Sequence, residues 1–243
     1  MKQEKVAVAT PDGPMNLHVF YPENSGKGPV PAIIVLQEAF GVNQHIVDIC
    51  KRLTGEGYLT VAPELFHRVA DDLELTYGDM PKVMAVLGSL ANEELADDLK
   101  ATYYFIKNLK NVTISSIGSI GFCMGGFTSM LAACRLPLNF AASCYGGGLT
   151  VERPGIGFKP FLNEFKKINC PVFLLYGEKD AGIPAEQIEE VRGHLKRNEK
   201  EYEIKIYVGA GHAFLREGTP AHDAGATVEA WTDISKWLKL HAK

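Results

Sequence analysis

Cys123 stands in the run Gly121-Phe122-Cys123-Met124-Gly125-Gly126, which follows a run of apolar residues and precedes a stretch of small ones. The spacing is that of the nucleophile elbow G-x-S-x-G, with cysteine in place of serine. A sharp strand-to-helix turn of this kind holds its central residue in a strained backbone, and glycines two before and two after leave room for the neighbouring chain. The following helix N-terminus then presents free N–H groups and a positive dipole end, which favour a thiolate. A tight glycine turn around a buried cysteine would have the same letters, so the partners decide. Downstream, Gly177-Glu178-Lys179-Asp180 follows a buried apolar run, and Gly209-Ala210-Gly211-His212-Ala213-Phe214 follows the next one. An acid and a histidine at successive strand ends complete the order nucleophile, acid, base. Asp180 suits the acid position best, with Glu178 as the alternative, and His212 suits the base. Upstream, Gln37-Glu38-Ala39-Phe40-Gly41 closes another buried apolar run. That loop is where one backbone N–H of an oxyanion hole is expected, from Ala39 or Phe40, with the second from Met124.

These loops need a frame that brings the ends of separate strands together. Residues 6–10 and 15–20 read as a hairpin about Asp12-Gly13. Residues 32–36, 59–62, 114–122, 140–145, 172–176 and 202–208 read as strands, several of them apolar throughout, as strands buried on both faces are. Between them lie helical patterns. One begins at Asn43 as N-cap and carries Ile46, Val47, Ile49, Cys50 and Leu53. A second begins at Asn92 and carries Leu95, Leu99, Tyr103, Ile106 and Leu109. Residues 125–135 and 184–198 follow. The last, residues 221–240, carries Val228, Trp231, Ile234 and Leu238. Residues 64–91 read as a loop with a short helix. Alternation of this kind predicts an α/β fold with a mostly parallel central sheet, an antiparallel N-terminal hairpin and helices on both faces. In such sheets sites lie at the carboxyl ends of the strands. No repeat or linker divides the 243 residues, which read as a single domain, 1–243.

Composition narrows the partners. The chain carries 25 Lys+Arg against 29 Asp+Glu, a net charge of −4, with 46% hydrophobic and 22% charged residues. That balance is not that of a nucleic-acid binder, and no apolar run reaches the roughly 20 residues that cross a bilayer. The five cysteines are odd in number and irregular in spacing, which is not a disulfide framework; with no apolar leader at residues 1–5, the expectation is a reduced, cytoplasmic protein. No H-E-x-x-H, paired-cysteine or phosphate-loop pattern occurs, so no metal or organic cofactor is expected.

Together, the Glu38 loop, the cysteine elbow, the Asp180 turn and Gly211-His212-Ala213-Phe214 resemble the dienelactone hydrolase (carboxymethylenebutenolidase) family of the α/β-hydrolase superfamily, in order and over nearly the whole chain. The resemblance implies hydrolysis of an enol-lactone, dienelactone to maleylacetate, with Cys123 as attacking group, His212 as acid–base partner and Asp180 orienting it. It implies that Glu38 helps hold the resting thiol, that Arg216 binds a substrate carboxylate, and that Tyr145 lines the pocket. The family's second carboxylate-binding arginine has no counterpart in residues 69–90, where Lys82 is the only basic residue; Arg68, in Leu65-Phe66-His67-Arg68, has a family-like setting just before it. A small-molecule lactone or ester is the implied partner, and a monomer is compatible with all of this. Two other readings remain: a broader carboxylesterase acting on uncharged esters, and a non-enzymatic protein using Cys123 as a redox-sensing thiol.

Overall fold

The computed structural model describes residues 1–243, the side chain of Tyr77 excepted. Eight strands form one sheet: β1 (Lys2–Thr10), β2 (Gly13–Tyr21), β3 (Val30–Leu36), β4 (Leu59–Pro63), β5 (Ile114–Phe122), β6 (Phe140–Cys144), β7 (Val172–Gly177) and β8 (Tyr202–Tyr207). Their order is β1-β2-β4-β3-β5-β6-β7-β8. Only β2 runs against its neighbours, pairing antiparallel with β1 and β4; β4 through β8 are parallel. The expected α/β fold with a mostly parallel sheet and a leading hairpin is therefore present. The hairpin turn sits one residue earlier than Asp12-Gly13 suggests: Thr10 pairs with Gly13, so Pro11 and Asp12 make the two-residue loop.

Six helices accompany the strands among the described residues: α1 (Gln44–Gly55), α2 (Met80–Ser89), α3 (Asn92–Lys107), α4 (Met124–Arg135), α5 (Ala185–Arg197) and, after the last strand, α6 (Ala224–His241). Side chains alternate across a strand, and β5 shows the two layers directly. Ser119 bonds Ser129 of α4 at 2.8 Å, whereas Phe122, three residues on, meets Trp231 of α6 at 6.4 Å between rings. α1 lies beside α6, with the Arg52 guanidinium 4.3 Å from the Trp231 ring. The helices thus cover both faces, and the sheet between them holds the core, with Ile33, Val35, Ile120, Ala142 and Leu174 fully enclosed.

Helix starts follow local chemistry. Asn43 caps α1, its side-chain oxygen accepting from the Ile46 N–H at 3.3 Å, and Asp223 caps α6 through the Ala226 N–H at 2.9 Å. Asn92 is not a cap: α3 begins at it, and its amide bonds the Lys159 backbone, while Glu94 accepts from the Ala91 N–H. Val228 does not belong to the buried stripe of α6, being 70% exposed while Trp231, Ile234 and Leu238 are buried. Among the described residues no helix is long and apolar enough to cross a membrane.

The chain leaves β3 toward β4 and leaves β5 toward β6, so the connections diverge between these two strands. A crevice opens at that point, at the carboxyl ends. Glu38, Cys123, Tyr145, Asp180 and His212 all follow the carboxyl ends of parallel strands.

Candidate active site

The elbow is built as its letters require. Cys123 has φ 54° and ψ −114°, a left-handed conformation that costs a non-glycine residue about 1–3 kcal/mol and persists only where its surroundings hold it. Its N–H donates to the Cys144 carbonyl at 3.0 Å, and its carbonyl accepts from the Gly126 N–H at 2.9 Å. A Cβ on Gly121 would stand 1.9 Å from the Gly125 carbonyl oxygen, and one on Gly125 would stand 2.2 Å from the Leu36 carbonyl oxygen. Both obstacles are backbone, so no side chain can swing aside. Gly125→Ala is expected to cost about 3 kcal/mol or more, the upper end for overpacking, measured by urea unfolding; a midpoint equal to that of the parent would contradict this geometry.

Three loops then converge. His212 Nε2 lies 3.2 Å from Cys123 Sγ, and His212 Nδ1 lies 2.6 Å from Asp180 Oδ2. Asp180 is 3% exposed, and its other oxygen accepts from the Gly182 N–H at 2.9 Å. Glu178, the alternative acid, points elsewhere: it accepts from the Gly209 N–H at 2.9 Å and pins the start of the loop that carries His212. Burial alone would lower the His212 pKa, but the charge of a Cys123 thiolate and the Asp180 carboxylate outweigh it and raise it to about 10. The imidazole therefore favours its charged form beside the sulfur.

Glu38 is 1% exposed. Its carboxylate accepts from Arg216 Nη1 at 3.1 Å and from the Tyr145 hydroxyl at 3.4 Å. Burial pushes its pKa above the ordinary glutamate value, against the opposing pull of Arg216, His212 and Tyr145. The thiol is thus engaged by His212, and Glu38 by Arg216 and Tyr145; the expected hold of Glu38 on the resting sulfur is not what the structure shows. The reason is charge: Arg216 offers the buried carboxylate a full counter-ion.

A cavity of about 370 Å³ lies over Cys123, with Glu38, Ala39, Phe40, Met124 and His212 in its floor and walls. Met124 opens α4, so its N–H belongs to the first turn, where helices leave donors unpaired. Much of the remaining wall is apolar, from Met80, Val83, Met84 and Leu87 of α2 and from Ile156 and Phe158.

The three residues expected to contact substrate are placed as follows. Arg216 does not line the cavity; its guanidinium is bound to Glu38 and lies 4.5 Å from the Phe40 ring centre. Tyr145 is fully buried and sits behind the site, its ring 5.3 Å from that of His212, so it supports Glu38 and His212. Arg68 lies outside the cavity, held by Asp98 at 2.7 Å and Asp12 at 2.8 Å. These acids, 30 and 56 residues away in sequence respectively, satisfy its charge. Conversely, sequence reasoning missed Arg153, which reaches the cavity wall from the segment between β6 and β7; the arginine letter was visible there, but no motif marked it. The one cluster with metal-ligand composition among the described residues is His18, Glu64 and Asp72. There the Lys5 ammonium already bonds both carboxylates, which argues for an ion-pair network.

Comparison with known proteins gives the family. Residues 15–242 match the dienelactone hydrolase family. A protein of Escherichia coli K12 named "Putative carboxymethylenebutenolidase" is 35% identical over 216 residues, covering 88% of this chain and 78% of its own length. One of the same name from Synechocystis is 30% identical over 240 residues, covering 97% and 96%. The crystal structure titled "Putative Dienelactone Hydrolase" from Klebsiella pneumoniae superposes with a TM-score of 0.86 at 28% identity, over 98% of each chain. The chain belongs to the dienelactone hydrolase family and is an ester/lactone hydrolase.

Proposed function

We propose that the protein hydrolyses an enol-lactone or related ester through a thioester on Cys123. The carrying observation is the aligned chain Sγ to Nε2 at 3.2 Å and Nδ1 to Asp180 at 2.6 Å beneath a cavity of substrate size. Cys123 Sγ attacks the carbonyl carbon, and His212 Nε2 takes the thiol proton. The carbonyl oxygen becomes an oxyanion held by the N–H of Met124 and that of Ala39 or Phe40, each such donor being worth about 3–4 kcal/mol. Collapse breaks the ring C–O bond, and the departing enolate or alkoxide takes the proton from His212. Water, losing a proton to the same nitrogen, then attacks the thioester and releases the acid and the thiolate. Asp180 holds the ring in the tautomer these transfers need. Glu38, fixed by Arg216 and Tyr145, adds negative charge near the imidazolium.

A second reading, hydrolysis of uncharged esters, draws support from the apolar cavity wall and from the pairing of Arg216 with Glu38.

The test is Cys123→Ala and Cys123→Ser assayed on an activated ester, with intact-protein mass spectrometry during turnover. The alanine variant is expected to be inactive, the serine variant weakly active at most, and the wild type to show an acyl adduct. Turnover by Cys123→Ala at the parental rate would sink the reading. Cysteine labelling offers a parallel check. The other four cysteines are buried, and burial raises the thiol pKa to about 12 at Cys50, Cys134 and Cys170 and also upward at Cys144. Iodoacetamide at neutral pH is expected to modify Cys123 first, as read by peptide mapping.

A further inference from the structure

We propose that Arg153 is the specificity-determining residue of this site, and that it selects esters or lactones carrying a carboxylate on an otherwise apolar body. This rests on the reading of Cys123 as nucleophile given above.

Three observations lead there. First, apart from His212, Arg153 is the only basic side chain among the described residues lining the cavity over Cys123. Arg216 and Arg68, the positions where sequence placed the anion-binding role, are both committed to buried carboxylates. Second, Arg153 has no carboxylate partner among the described residues. Its one hydrogen bond is from Nη2 to the Gly182 carbonyl at 2.5 Å. A guanidinium carries five N–H donors in a planar fork, so a half-buried one in an apolar wall has both the charge and the donors to take a carboxylate. Third, the backbone makes room for it. A Cβ at Gly147 would stand 2.1 Å from Nη2, so the guanidinium occupies the space that a side chain at 147 would fill.

The opposite requirement comes from α2. Met80, Val83, Met84 and Leu87 present an apolar surface to the same cavity, and burying such surface favours an apolar substituent at about 25 cal/mol per Å². A substrate with a carboxylate at one end and hydrocarbon elsewhere satisfies both walls. Glu38 also borders the cavity, but its charge is matched by Arg216, which limits repulsion of an anionic substrate.

Arg153 also touches the triad indirectly. Its Nη2 bonds the carbonyl of Gly182, and the N–H of that same residue bonds Asp180. A purely structural role would therefore lower activity on every substrate alike, and the test must separate the two. It uses a matched pair: the 4-nitrophenyl monoester of glutaric acid, which carries a free carboxylate, and 4-nitrophenyl valerate, which does not. Wild type, Arg153→Gln and Arg153→Lys are compared by kcat and KM. In Arg153→Gln the kcat/KM ratio of the acidic to the neutral ester is expected to fall about 10- to 100-fold, the scale of one charge-assisted pair. The change is expected mainly in KM, with Arg153→Lys recovering part of it. An unchanged ratio with turnover that still requires Cys123 would overturn the role of Arg153 alone. Turnover that survives Cys123→Ala would overturn the reading beneath it.

Discussion

Asp180→Asn is expected to lower kcat/KM on an activated ester by about 1,000- to 10,000-fold, as loss of the orienting acid does in related triads, while the protein stays folded. The geometry dictates the size. One Asp180 oxygen accepts from the Gly182 N–H and the other faces His212 Nδ1. An asparagine keeping the first contact turns its NH₂ toward Nδ1, so Nδ1 becomes the acceptor and the ring proton moves to Nε2. Nε2 then faces the sulfur already protonated and cannot take its proton. A pH signature accompanies the loss. Burial lowers the His212 pKa, but Cys123 and Asp180 together raise it from the ordinary 6.5 to about 10. A raised folded-state pKa stabilises the fold fully below 6.5, and that contribution disappears as pH rises through about 10. Wild-type stability is therefore expected to decline across this window and that of Asp180→Asn to decline less. Thermal unfolding at stepped pH, paired with pH–rate profiles, checks both; a loss of activity below tenfold would contradict the assigned role of Asp180.

Arg216→Met is expected to destabilise the fold by about 3–5 kcal/mol, the cost of stripping one partner from a buried ion pair. Glu38 is almost wholly enclosed and, besides Arg216, has only the Tyr145 hydroxyl at 3.4 Å among its described hydrogen bonds. Without Arg216 it escapes the penalty by taking a proton, which its burial already favours. The sign follows: the folded-state pKa moves further above the usual 4.5, so the deficit against wild type is small in acid and grows as pH rises above that value. The double variant Glu38→Gln, Arg216→Met is expected to recover much of the loss, because neither charge is then left alone. Denaturant unfolding of the four proteins at two pH values gives the coupling directly. Additive losses with no pH dependence would show that the pair carries no such energy.

The neighbouring placement of Cys123, His212 and Asp180 and the order of the sheet are legible because each is encoded locally. A glycine two residues either side of Cys123 reports a turn in which an added Cβ would stand 1.9 and 2.2 Å from backbone carbonyl oxygens. Asp180 and His212 each follow a short apolar run, and parallel pairing of such runs places their ends on one edge. Arginine roles were not legible, because a guanidinium takes its meaning from whichever carboxylate the fold brings near. Arg68 looked available until α3 delivered Asp98, and Arg216 until the β3 loop delivered Glu38. Arg153 looked unremarkable because the segment of residues 145–171 carries no strand and only a short 3₁₀ turn, Leu162–Lys167, so no periodicity announced which side chains face inward. Val228 misled for a related reason: an apolar letter at helical spacing marks a stripe only where a neighbouring layer covers it.

The distribution of sulfur makes the protein its own titrant. Five thiols are present and four lie buried, so a chromogenic disulfide applied to the native chain should release one equivalent from Cys123 and five after denaturation. The first number counts accessible, reduced Cys123 thiols per chain, and a preparation whose chains are all folded and reduced gives one equivalent native to five denatured.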